Sequence, residues 1–383
     1  MPFCLHKCRY CDFYSTPELS LKSRYVAALK REIYSSAEKN LQPRTLFFGG
    51  GTPSLLSVSE LEEIFTALRD SFDMDELAEV SIECNPGTVS LEKFTSFRQL
   101  GFNRISLGVQ SLDDAELRFL GRIHSASAAL EAIVAARQAG FENVGADMIY
   151  SLPAQTFDSV SRTASGLIAA GVSHISAYTL IYEEGTPLFD DLSARLITPN
   201  SSDDEADLYL QTAEFLSSHG FRQYEISNFA LPGFECLHNL NYWRRGEYFG
   251  FGPAAHGFRS GKRYRNVSST EEYCRRIEHS ETYIEEVEEP DKHDAMLETV
   301  YLALRAEGID FEAFRREFDV DLQSRNARLF SMLLSGGYAE EILSHSGAGD
   351  ASSTAAAAAT VRLFRLKSSG YALCDGISRE TDF

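Results

Sequence analysis

The chain has 383 residues, of which 44% are hydrophobic and 24% charged, and its formal net charge is −20. It is long enough for a sizeable core and too long for one small domain, so one large domain with an appendage is expected. So acidic a chain repels nucleic-acid phosphates, and the basic pairs Arg244-Arg245 and Arg315-Arg316 are too short to offset that, so nucleic acid is excluded as a partner.

No apolar run approaches bilayer length, so no transmembrane segment is predicted. The opening Met1-Pro2-Phe3-Cys4 lacks an apolar leader, and the protein is read as cytoplasmic. Seven cysteines are present and three fall within eight residues. In a reducing compartment such clustering favours metal over disulfides.

In chain order, a strand–turn–helix pattern repeats from residue 45 to about 180. The predicted strands are Thr45–Phe48, Glu79–Glu83, Arg104–Val109, Val144–Ile149 and His174–Tyr178. Between them, Ser59–Phe72, Ser90–Leu100, Ser125–Ala139 and Asp158–Ala170 carry helical apolar spacing, and Gly101, Gly140 and Gly171 fit helix C-caps. This alternation predicts an α/β fold with a parallel sheet of five or six units, open or curled into a partial barrel. Residues 203–219 read as a further helix, followed by a dense polar and aromatic stretch from Tyr224 to about Arg265.

The composition changes from Pro290. Lys292–Glu307, Phe311–Phe318 and Ala327–Leu334 read as helices, 347–360 as a low-complexity loop, and Val361–Leu366 with Tyr371–Cys374 as a hairpin. A small C-terminal α+β domain of winged-helix type is expected. The organisation predicted is a core domain over residues 1–235, a connecting segment over 236–289 and a C-terminal domain over 290–383.

Cys4-Leu-His-Lys-Cys8-Arg-Tyr-Cys11 is a C-x3-C-x2-C run. Three thiolates on one tight loop suit three irons of a cubane and leave the fourth iron open, unlike the saturated four-cysteine ferredoxin runs. Zinc is the competing occupant, but it usually takes four ligands with a second cysteine pair, and Cys84, Cys236, Cys274 and Cys374 are isolated. Gly49-Gly50-Gly51-Thr52-Pro53 follows the first predicted strand, where glycines let backbone approach a ligand. Glu83, Gln110 and Asp147 are predicted at or just past strand ends, at the same mouth.

The C-x3-C-x2-C run with Tyr10 between its last two cysteines resembles the radical SAM superfamily. That resemblance implies a partial (β/α)6 barrel holding a [4Fe–4S] cluster on Cys4, Cys8 and Cys11, with S-adenosylmethionine chelated at the open iron. It further implies S-adenosylmethionine contacts at Gly49, Gly50, Gly51, Thr52, Glu83, Gln110, Arg122 and Asp147. A carboxylate suits ribose hydroxyls and an arginine suits the ligand carboxylate.

Within the superfamily the chain is similar to the coproporphyrinogen-dehydrogenase-like (HemN-like) family, from residue 2 to about 270 and more faintly beyond. Cys11-Asp-Phe-Tyr-Ser, Gly-Gly-Gly-Thr-Pro-Ser-Leu-Leu and His238-Asn239-Leu-Asn-Tyr242-Trp243 are closest to its haem chaperone branch. The dehydrogenase carries a further cysteine where this chain has Phe13. The branch implies haem as a bound group, His238 as a candidate axial ligand with Cys236 and His256 as alternatives, and a membrane haemoprotein as recipient. Imidazole is a standard haem-iron ligand. The competing reading is an oxygen-independent coproporphyrinogen III oxidase acting on a porphyrin precursor; radical methyl transfer lacks any supporting cysteine constellation. The family pattern also begins with a strand ending in Tyr-x-His-x-Pro-Phe-Cys, so the first barrel strand is expected to be missing here, with either the true start upstream or the gene degraded. Ser151 stands where the family usually has glycine.

Overall fold

The computed structural model describes residues 1–345 and 360–383. The chain divides into two units. One comprises Met1–Arg222, Ser227–His238 and Glu247–Glu288; the other comprises Gln223–Ile226, Asn239–Gly246 and Glu289–Phe383.

The first unit is built on β1 (Thr45–Phe48), β2 (Glu79–Cys84), β3 (Arg104–Gln110), β4 (Asn143–Tyr150) and β5 (His174–Thr179), parallel neighbours in that order. Beyond β5 lie β7 (Asn228–Ala230), antiparallel to β5, and then β6 (Arg222–Gln223). The helices that follow the strands are α2 (Val58–Ser71), α3 (Leu91–Leu100), α4 (Asp114–Leu120), α5 (Ala126–Gln138) and α6 (Phe157–Ala169). Their starts are chemically explicit. Ser57 and Glu60 form a capping box on α2, while Ser90, Asp113 and Ser125 cap α3, α4 and α5. Gly101, Gly140 and Gly171 all take positive φ just past helix ends, as their spacing predicts.

Period-2 alternation divides the strands into two faces. Val80, Ile82 and Cys84, Ile105, Leu107 and Val109, Val144, Ala146 and Met148, and Ile175 and Ala177 join the main apolar core with the helices. The alternate positions are polar: Glu79, Ser81 and Glu83; Arg104 and Ser106; Asp147; His174 and Ser176. Register aligns Glu83 with Ser106, Ser106 with Gly145, and Asp147 with both Gly108 and Ser176. Asp147 therefore lies within β4 on this polar face, three residues before the strand ends; it falls inside the strand predicted there and short of the strand end at which it was expected.

Several elements of this unit carry no sequence expectation, α4 and the helix Pro187–Ser193 among them, and three others come together in one place. The helix α1 (Lys22–Ser35) follows the cysteine loop, and its Tyr25 meets Phe3 edge-on at 5.3 Å. An antiparallel sheet of His256–Arg259, Lys262–Asn266 and Ile284–Glu288 occupies part of the polar stretch and the segment beyond it. The helix Thr270–Glu278 packs on α1. These elements meet at Glu32, 2% exposed. Its carboxylate accepts from Gly252 N (2.8 Å), Asn266 Nδ2 (2.7 Å) and the Tyr273 hydroxyl. Burial pushes Glu32 up to about 7 despite these bonds.

The second unit runs helix Lys292–Leu304, strand Ile309–Asp310, helices Phe311–Phe318 and Ala327–Ser335, then strands Ala339–His345 and Thr360–Leu366. That is the order of a winged helix, with the last two strands paired antiparallel. Phe314, Phe318, Phe330, Leu333 and Phe364 are buried, and Phe330 and Phe364 lie 4.7 Å apart at their ring centroids. The predicted hairpin is corrected in its second arm: Thr360–Leu366 pairs with Ala339–His345, while Ser368–Tyr371 is a helical turn. Tyr371 turns into the core and gives its hydroxyl to Ala306 O at 2.8 Å, a burial that outweighs its strand propensity. The low-complexity loop lies outside the described residues, apart from Thr360.

Candidate functional site

The three cysteines sit on a loop that other segments hold in place. Cys4 N donates to Thr16 O (3.1 Å) and Thr16 N to Pro2 O (2.7 Å), so the loop closes on itself. Arg9 N donates to Leu120 O at the end of α4, and the Arg9 guanidinium pairs with Asp191 in the helix Pro187–Ser193. Tyr10 packs on a small cluster of Leu120, Ile149, Leu152, Leu180 and Leu188. Burial raises its phenol above the usual range, and burial likewise raises the Cys11 thiol.

The glycine run after β1 is a contact surface. Gly51 N donates to Met1 O at 2.6 Å. Gly50 has φ +105°, and a Cβ there would fall 2.8 Å from Met1 O. A Cβ on Gly51 would fall 2.7 Å from Phe3 O, so the cysteine loop fits only against bare backbone. Gly50 N also donates to Glu83 Oε2 at 3.0 Å.

The polar sheet face continues to the same place. Ser106 Oγ donates to Asp147 Oδ1 at 3.3 Å. Burial, reinforced by the Asp147 carboxylate, pushes Glu83 up to about 7, and burial raises Asp147 as well. Gln110 has φ 72°, rare for a residue with a side chain, at a register irregularity between β3 and β4.

Arg122 follows Gly121, the left-handed cap of α4. Its NH2 donates to Gly108 O and to Asn85 Oδ1, both at 2.6 Å, and its NH1 donates to Cys8 Sγ at 3.4 Å. Asn85 Nδ2 in turn donates to Thr52 Oγ1 (2.8 Å), which lies 3.4 Å from Cys4 Sγ. A cleft opens here between Cys8, Thr52, Asn85, Arg122, Ile123 and His124. Cys4, Cys8, Gly49–Thr52, Glu83, Asn85 and Arg122 are thus joined by direct contacts. Asn85 and Ser106 had no place in the sequence reading. The alternation of polar and apolar residues in Glu-Val-Ser-Ile-Glu-Cys and Arg-Ile-Ser-Leu-Gly-Val-Gln was the signal for the polar face.

His238 stands apart from this group. Its Nδ1 is 2.8 Å from Thr45 Oγ1 at the start of β1, and its ring stacks on Phe47 at 5.0 Å. Glu79 accepts from Cys236 Sγ, Leu237 N and His238 N, which fixes the backbone there. Burial pushes His238 down to about 4, so the imidazole is neutral at ordinary pH.

The model of the Radical SAM superfamily matches residues 1–165. The haem chaperone HemW of Lactococcus lactis is 36% identical over 320 residues, covering 83% of each chain. The chain belongs to the HemW family of radical SAM proteins. HemW of Bacillus subtilis is 33% identical over 329 residues, covering 83% of this chain and 85% of that one. HemW of Escherichia coli is 36% identical over 266 residues, covering 67% and 68%. The solved structure of coproporphyrinogen III oxidase (HemN) from Escherichia coli superposes with a TM-score of 0.80 at 21% identity, over 99% of this chain and 88% of that one, which shows the shared fold. Membership of the superfamily implies a [4Fe–4S] cluster and S-adenosylmethionine.

The residues present fit both groups. Among the described residues no three His, Cys, Asp or Glu side chains gather round one ion position. A cubane asks each thiolate for a different iron. Arg122 Nε is buried without a hydrogen-bond partner, a donor available to an anionic ligand. No helix among the described residues is long and apolar enough to cross a membrane.

Proposed function

We propose that this chain is a radical-SAM-type haem chaperone, which binds haem together with a [4Fe–4S] cluster and S-adenosylmethionine and passes haem to a haemoprotein. The observation that carries the reading is kinship: proteins named haem chaperone HemW are 33–39% identical to this chain over two thirds or more of its length. Cys4, Cys8 and Cys11 hold the cluster as thiolates. When bound, the cluster supplies an open iron and a one-electron reductant beside S-adenosylmethionine. Backbone of Gly49, Gly50, Gly51 and Thr52 meets the amino acid portion of that ligand, and Arg122 pairs with its carboxylate. Glu83 and Asp147 accept from ribose hydroxyls, and Gln110, held in its unusual backbone conformation, adds an amide contact.

For haem, His238 is the candidate axial ligand. Recipient and cytoplasmic location are part of the same proposal.

Phe13 supports the chaperone over the oxidase. It stands 70% exposed where the dehydrogenase has its additional cysteine, so that position offers no thiol. Anaerobic reconstitution followed by haem titration and a coproporphyrinogen assay decides between them. Tight haem binding without turnover is expected, with a Soret shift and weaker binding in His238→Ala. Formation of protoporphyrinogen overturns the chaperone reading and promotes the oxidase; an unmoved Soret band moves the ligand to Cys236 or His256.

A further inference from the structure

Asn85 stands where β2 gives way to the 3-10 turn Pro86–Thr88. An asparagine there ordinarily folds back to cap its own turn. This one makes no cap bond and reaches sideways with both ends of its amide. The end facing Arg122 NH2 at 2.6 Å must be the carbonyl oxygen, because a guanidinium has donors only. That fixes the amide nitrogen on Thr52 Oγ1 at 2.8 Å. The Thr52 oxygen already accepts a bond there, so its own proton is available to give, and Cys4 Sγ lies 3.4 Å away. At the other end Arg122 NH1 donates to Cys8 Sγ at 3.4 Å. Cys4, Thr52, Asn85, Arg122 and Cys8 form one continuous chain, with a donor directed at a sulfur at each end. Gly108 leaves room for it: a Cβ there would fall 3.1 Å from Asn85 Oδ1 and 3.3 Å from Arg122 NH2.

We propose that Asn85 is a positioning residue for the iron–sulfur site, which fixes the polarity of the hydrogen bonds received by the Cys4 and Cys8 sulfurs and holds the Arg122 guanidinium in place. The inference rests on the cluster assignment proposed above. Hydrogen bonds to ligand sulfurs stabilise the extra negative charge of a reduced cluster, so they raise its reduction potential. Asn85 therefore tunes the potential without touching the metal, and it orients the cation that meets the S-adenosylmethionine carboxylate.

The test is an EPR-monitored redox titration of the anaerobically reconstituted full chain, with S-adenosylmethionine affinity measured alongside. Asn85→Asp keeps the acceptor for Arg122 but offers Thr52 a second acceptor, which draws the hydroxyl proton away from Cys4. Thr52→Val removes the hydroxyl alone. Asn85→Leu removes both bonds of the amide. All three are expected to move the midpoint to more negative potential, and Asn85→Leu also to weaken S-adenosylmethionine about tenfold through the released Arg122. The shift from Asn85→Asp should shrink in the Thr52→Val background, because part of it passes through that hydroxyl. Should Asn85→Leu fold poorly, the Asp and Val variants and their double carry the decision. Unmoved potentials and EPR spectra at full cluster loading, or an Asp shift equal in both backgrounds, overturn the role of Asn85 while leaving the cluster assignment intact. A wild-type chain that takes up no cluster refutes that assignment and this inference with it.

Discussion

Glu32 gives the fold a pH dependence that can be worked out from its surroundings. Tyr25, Tyr264 and Tyr273 face it, and burial holds all three phenols above their ordinary range. Burial likewise pushes the Cys274 thiol up to about 11. Glu32 is therefore the member of this group that titrates in mild acid. Its folded value of about 7 lies above the ordinary 4.5. Between those values the native chain holds a proton that the unfolded chain has released, so stability falls as pH rises from about 4.5 to about 7 and levels off above. At 1.36 kcal/mol per pH unit the full effect is about 3 kcal/mol. Glu32→Gln removes the titration. The stability of that variant relative to wild type should therefore improve by about 2.5 kcal/mol between pH 5 and pH 8, the rest of the effect falling below pH 5. The chain has two units and one tryptophan, Trp243, which belongs to the second. The measurement should accordingly be local: urea unfolding read by hydrogen exchange in α1 peptides. A difference between the two proteins that stays constant across that pH range, within 1 kcal/mol (about 0.7 of a pH unit), refutes the reasoning. Because α1 also carries Tyr25 against Phe3, the same pH rise should loosen the cysteine loop.

Three further outcomes follow from the site. Replacing Cys4, Cys8 and Cys11 together by Ala should abolish absorption near about 400 nm and bound iron after reconstitution; full iron and sulfide in that variant would contradict the ligand assignment. Asp147→Ala should weaken S-adenosylmethionine by about 1–3 kcal/mol, measured by equilibrium binding, if a buried hydrogen bond is lost. Gly51→Ala places a Cβ against Phe3 O, which is backbone and cannot swing aside. It should lower cluster occupancy severalfold, and normal iron content would show that the cysteine loop is not seated on Gly51.

Much of the first unit was legible because its signals are local. Strand positions follow from short β-branched and aromatic runs, and Gly101, Gly140 and Gly171 mark helix ends through a backbone conformation only glycine adopts cheaply. The three cysteines are readable for the same reason, since their geometry is set by one loop. Asn85 was not, because its role depends on Thr52 and Arg122, 33 and 37 residues away. Asp147 was expected at or just past a strand end; the structure sets it three residues inside β4, where Ser106 and a polar face receive it. The sheet around Lys262–Asn266 escaped because arginines and glutamates are frequent in its strands and pairing across the chain decides their state, whereas α1 carried a helical apolar stripe of Tyr25, Val26, Leu29 and Ile33 that the reading did not use.

The two-faced character of the sheet has a consequence for how the chain finds its fold. A strand with one polar and one apolar face reports its own alignment, since a slip of one residue turns every side chain over. If β2 slipped, Glu79, Ser81 and Glu83 would be driven beneath the helices, and Val80, Ile82 and Cys84 would face the polar side. The carboxylates of this face thus also act as proofreaders of strand pairing, penalising wrong alignments. Neutral, greasy replacements such as Glu83→Leu relieve the cost of burying charge, yet they erase one of the marks that distinguish the correct alignment from its neighbours. Such variants would be expected to gain thermal resistance and lose refolding yield together.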